Sequence, residues 1–128
     1  MSDTLTTLAA HSPQAERSLY AMPDWVVIGS TTAATTATIA AVAIKQHAVQ
    51  KAVVSFSAAP SGAVQFKIND GSTVIFQAEI PAATTAPAVY TFERALCGSV
   101  NTAMTGTVGD SGGATCTVWM CGIDILRP

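Results

Sequence analysis

The fold is decided by the stretch Val64-Gln-Phe-Lys-Ile-Asn-Asp-Gly-Ser-Thr-Val-Ile-Phe-Gln-Ala-Glu-Ile80. Apolar and polar residues alternate over residues 64–68 and again over residues 74–80, with Ile75 as the one apolar exception. A period of two places successive side chains on opposite faces of a strand. Between the two runs, Asn69-Asp-Gly-Ser72 tolerates the positive φ angles of a tight turn. The stretch therefore predicts a β-hairpin with one buried and one exposed face.

Similar short runs fill the chain on both sides of this hairpin, separated by turns rich in Gly, Pro, Asp and Ser. The further predicted strands are residues 25–28, 35–44, 48–56, 88–93, 103–108 and 115–125. Residues 45–47 are interpreted as a turn and residues 96–101 as a loop. Short strands at intervals of about 8–12 residues are typical of sandwiches, jelly rolls and barrels. The predicted fold class is all-β, a jelly-roll-like antiparallel β-sandwich of about eight strands.

Residues 1–23 differ in composition from the rest of the chain. They are more polar, contain Pro13 and end at Pro23. The segment is too short to form a core of its own, so we interpret residues 1–23 as an N-terminal arm and residues 24–128 as the sandwich domain.

The composition favours a protein that assembles with others. The chain has 128 residues, which suits one domain. Charged residues make up only 11%, against about 25% in an average domain. Thr, Ser and Ala fill positions where Lys and Glu usually stand, and such a surface costs little to desolvate against a partner. Thr-rich outward strand faces would give the same composition without any partner.

The charge pattern argues against two classes of partner. The net charge is −2 and the six Lys and Arg residues are scattered, so the basic patch of a nucleic-acid-binding protein is missing from the sequence. The longest apolar run, Ile39-Ala-Ala-Val-Ala-Ile44, is far shorter than a membrane span. The first residues do not match a secretory signal. We expect synthesis in a cytoplasm, with no nucleic acid and no membrane as partner.

The three cysteines predict neither a disulfide framework nor a metal site. Cys116 and Cys121 are five residues apart in one predicted strand, so they point to opposite faces and cannot bridge each other there. Cys97 can pair with either only if the fold brings them together. Reduced thiols packed as small apolar groups are the favoured interpretation. Without a CxxC motif or a cluster of His residues, we expect no metal and no cofactor.

Gly109-Asp-Ser-Gly-Gly113 copies the string around the nucleophile of chymotrypsin-like proteases. Ala9-Ala-His11 echoes the run around the histidine of those enzymes, but here it lies in the arm with no barrel before it. A triad needs its members within hydrogen-bond reach, and the same five residues are what a hairpin loop requires. We therefore interpret residues 109–113 as a turn and predict that the protein is not an enzyme, with a Ser111 hydrolase as the contrary hypothesis.

Other residues with possible chemistry have plainer explanations. His11 and His47 are expected to be surface or turn residues rather than ligands. Glu79 and Glu93 have no spacing that predicts a catalytic carboxylate pair. Trp25, Tyr90 and Trp119 could form a platform for stacking sugars. Core packing is the favoured interpretation for Trp119, and the position of Trp25 stays open.

From about Thr36 to Ile125 the chain resembles a β-sandwich module of tailed-bacteriophage virion proteins. The resemblance rests on the apolar run 39–44, the strand Val53-Val-Ser-Phe-Ser-Ala-Ala59, the hairpin from Val64 to Thr73 and a Gly-rich turn before a closing strand. The Gly-Lys-Lys usual in this module is replaced here by Lys45-Gln-His47. The matching pattern covers about two-thirds of the chain and has no catalytic signature.

The resemblance implies a structural role in a virion. Such modules serve as head decoration (cement) proteins or as tail and fibre components, commonly as trimers. The expected function is a non-enzymatic capsid decoration protein, with a tail or fibre component that binds host surface glycans as the alternative. The expected partners are the major capsid protein and further copies of the chain as a homotrimer, at the capsid surface. The residues expected to bind the capsid are Leu5, Leu8, Leu19, Tyr20, Met22 and Trp25.

Overall fold

A computed structural model describes residues 22–127 of the chain. These residues form eight β-strands, as predicted. The strands are β1 (Trp25–Thr31), β2 (Thr35–Ile39), β3 (Lys45–Phe56), β4 (Val64–Asp70), β5 (Thr73–Ile80), β6 (Ala88–Val100), β7 (Met104–Val108) and β8 (Cys116–Leu126). Residues 22–127 include no helix long and apolar enough to cross a membrane.

The strands form two antiparallel four-stranded sheets that pack against each other as a β-sandwich. Sheet A has the order β1-β8-β3-β6 and sheet B the order β2-β7-β4-β5. Every connection between consecutive strands passes to the other sheet except the β4–β5 hairpin, and β8 returns to pair with both β1 and β3. This strand order is that of an eight-stranded jelly roll, which confirms the predicted fold class.

The hairpin of β4 and β5 forms where the sequence predicts it. Asp70 pairs with Thr73, which leaves Gly71 and Ser72 as a two-residue loop. Gly71 has φ +60°, a conformation that glycine adopts without a steric penalty. Between Ile68 and Asn69 the register shifts, so that Ile75 is an extra, unpaired residue. This β-bulge explains the apolar exception: it turns Ile75 toward the core and leaves Val74 exposed, where strict alternation had predicted it buried.

The core lies between the inner faces of the two sheets. Sheet A contributes side chains such as Val54, Val118 and Met120, and sheet B contributes Phe66 and Ile68, all of them fully buried. Along one side of the sandwich, aromatic rings from both sheets join β6 to β4 and β5. Ring centroids lie 5.1–6.2 Å apart among Phe66, Phe76, Tyr90 and Phe92. Such contacts add to the area that the rings bury.

Three predicted element boundaries are wrong. Strand β2 ends at Ile39, so residues 40–44 form an exposed loop in which Ile44 has φ +58°. The predicted turn 45–47 is the start of β3, which pairs with the end of β8. The predicted loop 96–101 lies largely within β6, where the Asp70 carboxylate accepts hydrogen bonds from the backbone N–H and the hydroxyl of Ser99.

Candidate interaction surface

The outer face of sheet A carries one apolar residue from each strand in a single row. Ile28 pairs with Trp119, Trp119 with Val53, and Val53 with Val89. We call these four residues the apolar row. Their chain neighbours Val54, Val118, Ala88 and Val27 belong to the core or pack on it, so the row points away from it. Ile28 and Val89 on the edge strands are 63% and 55% exposed.

The rows on either side are nearly uncharged. On one side Ser30 pairs with Thr117, and Thr117 with Ser55. The hydroxyls of Ser30 and Thr117 lie 3.1 Å apart, within hydrogen-bond distance. On the other side, the row consists of Val26, Cys121, Lys51 and Thr91. Lys51 is therefore the one charged residue in these three rows, and the face costs little to remove from water.

The outer face of sheet B is polar over the same width. Its central row joins Thr36, Thr107, Lys67 and Gln77. In the next row, the Thr38 and Thr105 hydroxyls lie 3.3 Å apart, within hydrogen-bond distance. We call this surface the threonine face. It matches the expectation of Thr-rich outward strands, whereas the apolar row does not.

The two tryptophans lie on opposite faces of sheet A, and only Trp119 differs from its sequence interpretation. Trp25, whose place was open, is only 7% exposed and belongs to the core cluster. Its indole N–H donates to the Ile123 carbonyl at 3.3 Å, and its ring lies over Gly122, where a β-carbon would meet it at 2.4 Å. Trp119, expected in the core, is half-buried on the outer face. Because Tyr90 packs inward on Phe66, the three rings form no common platform.

The residues expected to bind a capsid are placed as follows. Leu5, Leu8, Leu19 and Tyr20 lie outside the described residues. Met22 is 83% exposed, just before β1. Trp25 is a correction: as the first residue of β1 it is buried against His47, with ring centroids 6.0 Å apart. Its side chain therefore stabilises the sandwich and offers little surface to a partner.

His47 is a fully buried residue of β3, not the turn residue predicted. Its Nδ1 lies 2.5 Å from Oδ1 of Asp124 and its Nε2 lies 2.8 Å from the Ala40 carbonyl oxygen. A carbonyl can only accept, so Nε2–H donates to the Ala40 carbonyl, and Nδ1 lies within hydrogen-bond distance of the Asp124 carboxylate. The ring thus joins β3, β8 and the loop after β2. Because both ring nitrogens are engaged, His47 is not available to bind a metal or to activate a nucleophile.

The Gly109–Gly113 string forms a tight loop between β7 and β8. Ser111 is 2% exposed, and its hydroxyl donates to the Ala114 carbonyl at 2.9 Å. The Asp110 carboxylate accepts from the Gly112 N–H, as is usual for Asp in turns. The Ser111 side chain is therefore part of the turn structure, which agrees with the turn interpretation. His11, the other half of the protease pattern, lies outside the described residues.

The three thiols are free and occupy different environments. Cys116 lies on the inner face of β8 and Cys121 on its outer face, as the spacing predicts. Burial raises the pKa of the Cys116 thiol, and a side-chain hydrogen bond with Thr35 partly offsets this increase. Burial also raises the pKa of Cys121, against the lowering effect of the nearby Lys51 ammonium.

A shallow cleft of ≈ 620 Å³ extends the outer face of sheet A beside the bulge in β3. Lys51, Glu93 and Arg94 line it together with the Cys97 and Cys121 thiols. Within residues 22–127, no three His, Cys, Asp or Glu side chains are grouped so that they could hold a metal ion. The cleft and the apolar row share one side of the molecule and form its most distinctive surface.

Comparison with models of known protein families finds no family that matches this chain, and a search of curated proteins finds no relative of significant similarity. The surface is therefore interpreted from its own residues. Sequence reasoning missed the apolar row, although a signal for it was present. The runs Trp25-Val-Val-Ile28 and Val118-Trp-Met120 are apolar without alternation, which is typical of strands that are apolar on both faces.

Proposed function

We propose that this protein is a non-enzymatic bacteriophage capsid decoration protein that binds the outer surface of the head and stabilises the shell. The observation that carries the proposal is the contrast between its outer faces. Sheet A presents an apolar row with nearly uncharged neighbours, and sheet B presents hydroxyls and amides. Such a contrast suits a protein that buries one side in an assembly and leaves the other in water.

The physics of a decoration protein fits these features. Burying apolar surface contributes about 25 cal/mol per Å², so a small face gives weak binding for a single copy. Many copies on a repeating lattice, or copies joined to each other, gain by avidity. The jelly roll is an architecture used by viral capsid domains as well as by lectins and cupins. The fold is thus compatible with the proposal without deciding it.

The proposed partners are the major capsid protein and other copies of this chain. The N-terminal arm, with Leu5, Leu8, Leu19 and Tyr20, is proposed to bind the shell protein, with apolar anchors offsetting the entropy that ordering costs. A homotrimer, as the resemblance implies, remains a prediction. The proposed location is the capsid surface of the virion, after synthesis in the host cytoplasm.

The direct test is to count copies of this chain per major shell protein in gradient-purified phage particles from the system that encodes it. Near-stoichiometric copies support a decoration protein. A few copies per particle would move the protein to the tail, and its absence from particles would refute a structural role.

A second test concerns the arm. Deletion of residues 1–22 is expected to leave the β circular dichroism of the sandwich intact while weakening attachment to capsids. The matched control is full-length Thr38→Lys, a change on the threonine face that should leave attachment unaltered. Loss of the β signal on deletion, or undiminished attachment, would contradict the proposed role of the arm.

Binding of host glycans by a tail or fibre component is the second candidate function, and one observation favours it. Trp119 lies half-buried on an open sheet face beside the Thr117 and Ser55 hydroxyls, and an indole face with nearby hydroxyls can stack and hydrogen-bond a sugar. Titration with host polysaccharides should then change the tryptophan fluorescence of the natural chain. It should not change the fluorescence of a Trp119→Phe variant of equal stability. Unchanged fluorescence with every host polysaccharide would count against this function.

A further inference from the structure

We propose that the outer face of sheet A is a contact between two copies of this chain, packed face to face about a two-fold axis parallel to the strands. The proposed function leaves the contact between copies unassigned. This inference assigns it to the apolar row of Ile28, Trp119, Val53 and Val89, and it predicts a dimer in place of the homotrimer that the resemblance implies. The row crosses all four strands in register, so it offers a flat, continuous stripe rather than scattered apolar residues.

The order of the side chains along the row favours a second copy as the occupant. From β1 to β6 the row reads Ile28, Trp119, Val53, Val89. A two-fold axis parallel to the strands reverses this order in the facing copy. Trp119 then lies opposite Val53 of the second copy, and Ile28 opposite Val89. Each larger side chain meets a smaller one, which is the arrangement that lets two layers interdigitate.

The charges on the face are compatible with the same pairing. Lys51, the one charged residue in the three central rows, lies on β3 level with Cys121 on β8. The two-fold axis places Lys51 opposite Cys121 of the second copy, so the two Lys51 side chains are not directly opposed. A lysine stem can pack on apolar surface while its ammonium group reaches the water at the rim. No buried charge is left opposite a like charge by this arrangement.

The shape and size of the face define the kind of contact. Aligned sheets pack face to face with their strand directions within about 30° of each other, and a second copy supplies a sheet of matching twist. Strands about 4.8 Å apart and seven residues of about 3.3 Å each give roughly 800 Å² of facing sheet per pair. That area lies below the range of stable specific interfaces, so we expect a weak, reversible pair with a dissociation constant on the order of 1–100 µM.

Sedimentation velocity of the full-length chain tests the proposal over about 1–300 µM, a range that brackets the expected constant. The natural chain should pass from monomer to dimer as its concentration rises. Val89→Lys and Ile28→Lys, at the two exposed ends of the row, should each weaken the dimer at least tenfold. Thr38→Lys, on the exposed edge strand of sheet B, is the matched control and should dimerise like the natural chain. Circular dichroism of each variant verifies that the sandwich has folded.

Several outcomes would overturn the proposal. One is a natural chain that stays monomeric over the whole range. If such a chain dimerises only when residues 1–21 are deleted, the arm rather than a second copy covers the apolar row. A dimer that survives both lysine variants would also overturn it. So would a trimer, since a face-to-face contact about a two-fold axis closes at two copies. None of these outcomes bears on the capsid count, so this inference and the proposed function can fail separately.

Discussion

The outer faces of the two sheets are built alike and differ in chemistry. Both belong to four-stranded antiparallel sheets with the same pattern of inward-facing core residues. Across sheet A the central outward row is Ile28, Trp119, Val53 and Val89, and across sheet B it is Thr36, Thr107, Lys67 and Gln77. The inward-facing residues of each strand therefore determine the fold, while the outward-facing residues can differ according to what the protein contacts.

The difference between the faces can be traced to two kinds of strand in the sequence. In sheet B, β4 and β7 alternate apolar with polar residues, which places one face in the core and one in water. In sheet A, β1 and β8 contain consecutive apolar residues. Consecutive apolar residues make both faces of a strand apolar. Sheet A therefore has apolar surface to bury beyond what its own core requires.

The largest effect is expected from the tryptophans that lie on opposite faces of sheet A. Trp25→Ala removes a core ring and its bond to Ile123, and should lower the free energy of unfolding by about 3–5 kcal/mol. Trp119→Ala removes a half-buried ring from the outer face and should cost the monomer about 1–2 kcal/mol. Urea denaturation at low protein concentration, where the chain is monomeric, measures both. Equal losses, or a larger loss for Trp119→Ala, would contradict the assignment of the two faces.

The tryptophans also show how far sequence reasoning reaches. Alternation within the 64–80 hairpin and the turn residues between strands predicted the number of strands and the sandwich. The extension of β6 through Gly98 and the start of β3 at Lys45 depend on pairing with distant strands, which no local pattern contains. His47 became a core residue because Asp124 lies opposite it in β8, 77 positions further along the chain.

The candidate site was predicted less well than the fold. The arm residues Leu5, Leu8, Leu19 and Tyr20 remain predictions, and the position of Trp25 stayed open because the run 25–28 indicates only that both faces of β1 are apolar. Which face is inner depends on register with β8, where Gly122 makes room for the Trp25 ring. The apolar row itself combines one residue from each of four strands distant in sequence, so it appears only when the strand order is known.

A smaller effect is the pH dependence of the free energy of unfolding that arises from the Cys116 thiol on the inner face of β8. Burial raises the pKa of the Cys116 thiol, so the folded chain holds that proton more tightly than the unfolded chain. The resulting stability is fully present below the unfolded thiol pKa of about 8.5 and is lost as the pH rises through the folded value, with a limiting slope of about 1.4 kcal/mol per pH unit. The free energy of unfolding should therefore fall between pH 8 and 10 more steeply in the natural chain than in Cys116→Ala.

The matched control for this pH dependence is Cys97→Ala, which removes an exposed thiol. It should retain the slope of the natural chain over the same range. Cys121→Ala should also reduce the slope, because burial raises the pKa of the Cys121 thiol as well. A Cys116→Ala slope identical to that of the natural chain would show that this thiol does not ionise with unfolding.

The smallest effect on stability is expected when an apolar residue of the outer face of sheet A is made polar, or a polar residue of the threonine face is made apolar. Ile28→Thr on β1 and Thr38→Ile on β2 replace exposed residues of edge strands and should each change the free energy of unfolding by no more than about 0.5 kcal/mol. Their effect on association should differ, since Ile28→Thr removes one end of the apolar row. Chemical denaturation and sedimentation of the same samples check both halves. A large loss of stability in Ile28→Thr would mean that Ile28 packs within the monomer.

Carbene footprinting of the full-length chain at low and high concentration tests the central claim most directly, because it reports where each copy is covered. We predict that labelling of Ile28, Trp119 and Val89 falls as the concentration rises, while labelling of the threonine face stays constant. The control is Val89→Lys, in which labelling of Ile28 and Trp119 should not change with concentration. Constant labelling of the apolar row in the natural chain, or protection confined to the threonine face, would contradict the account.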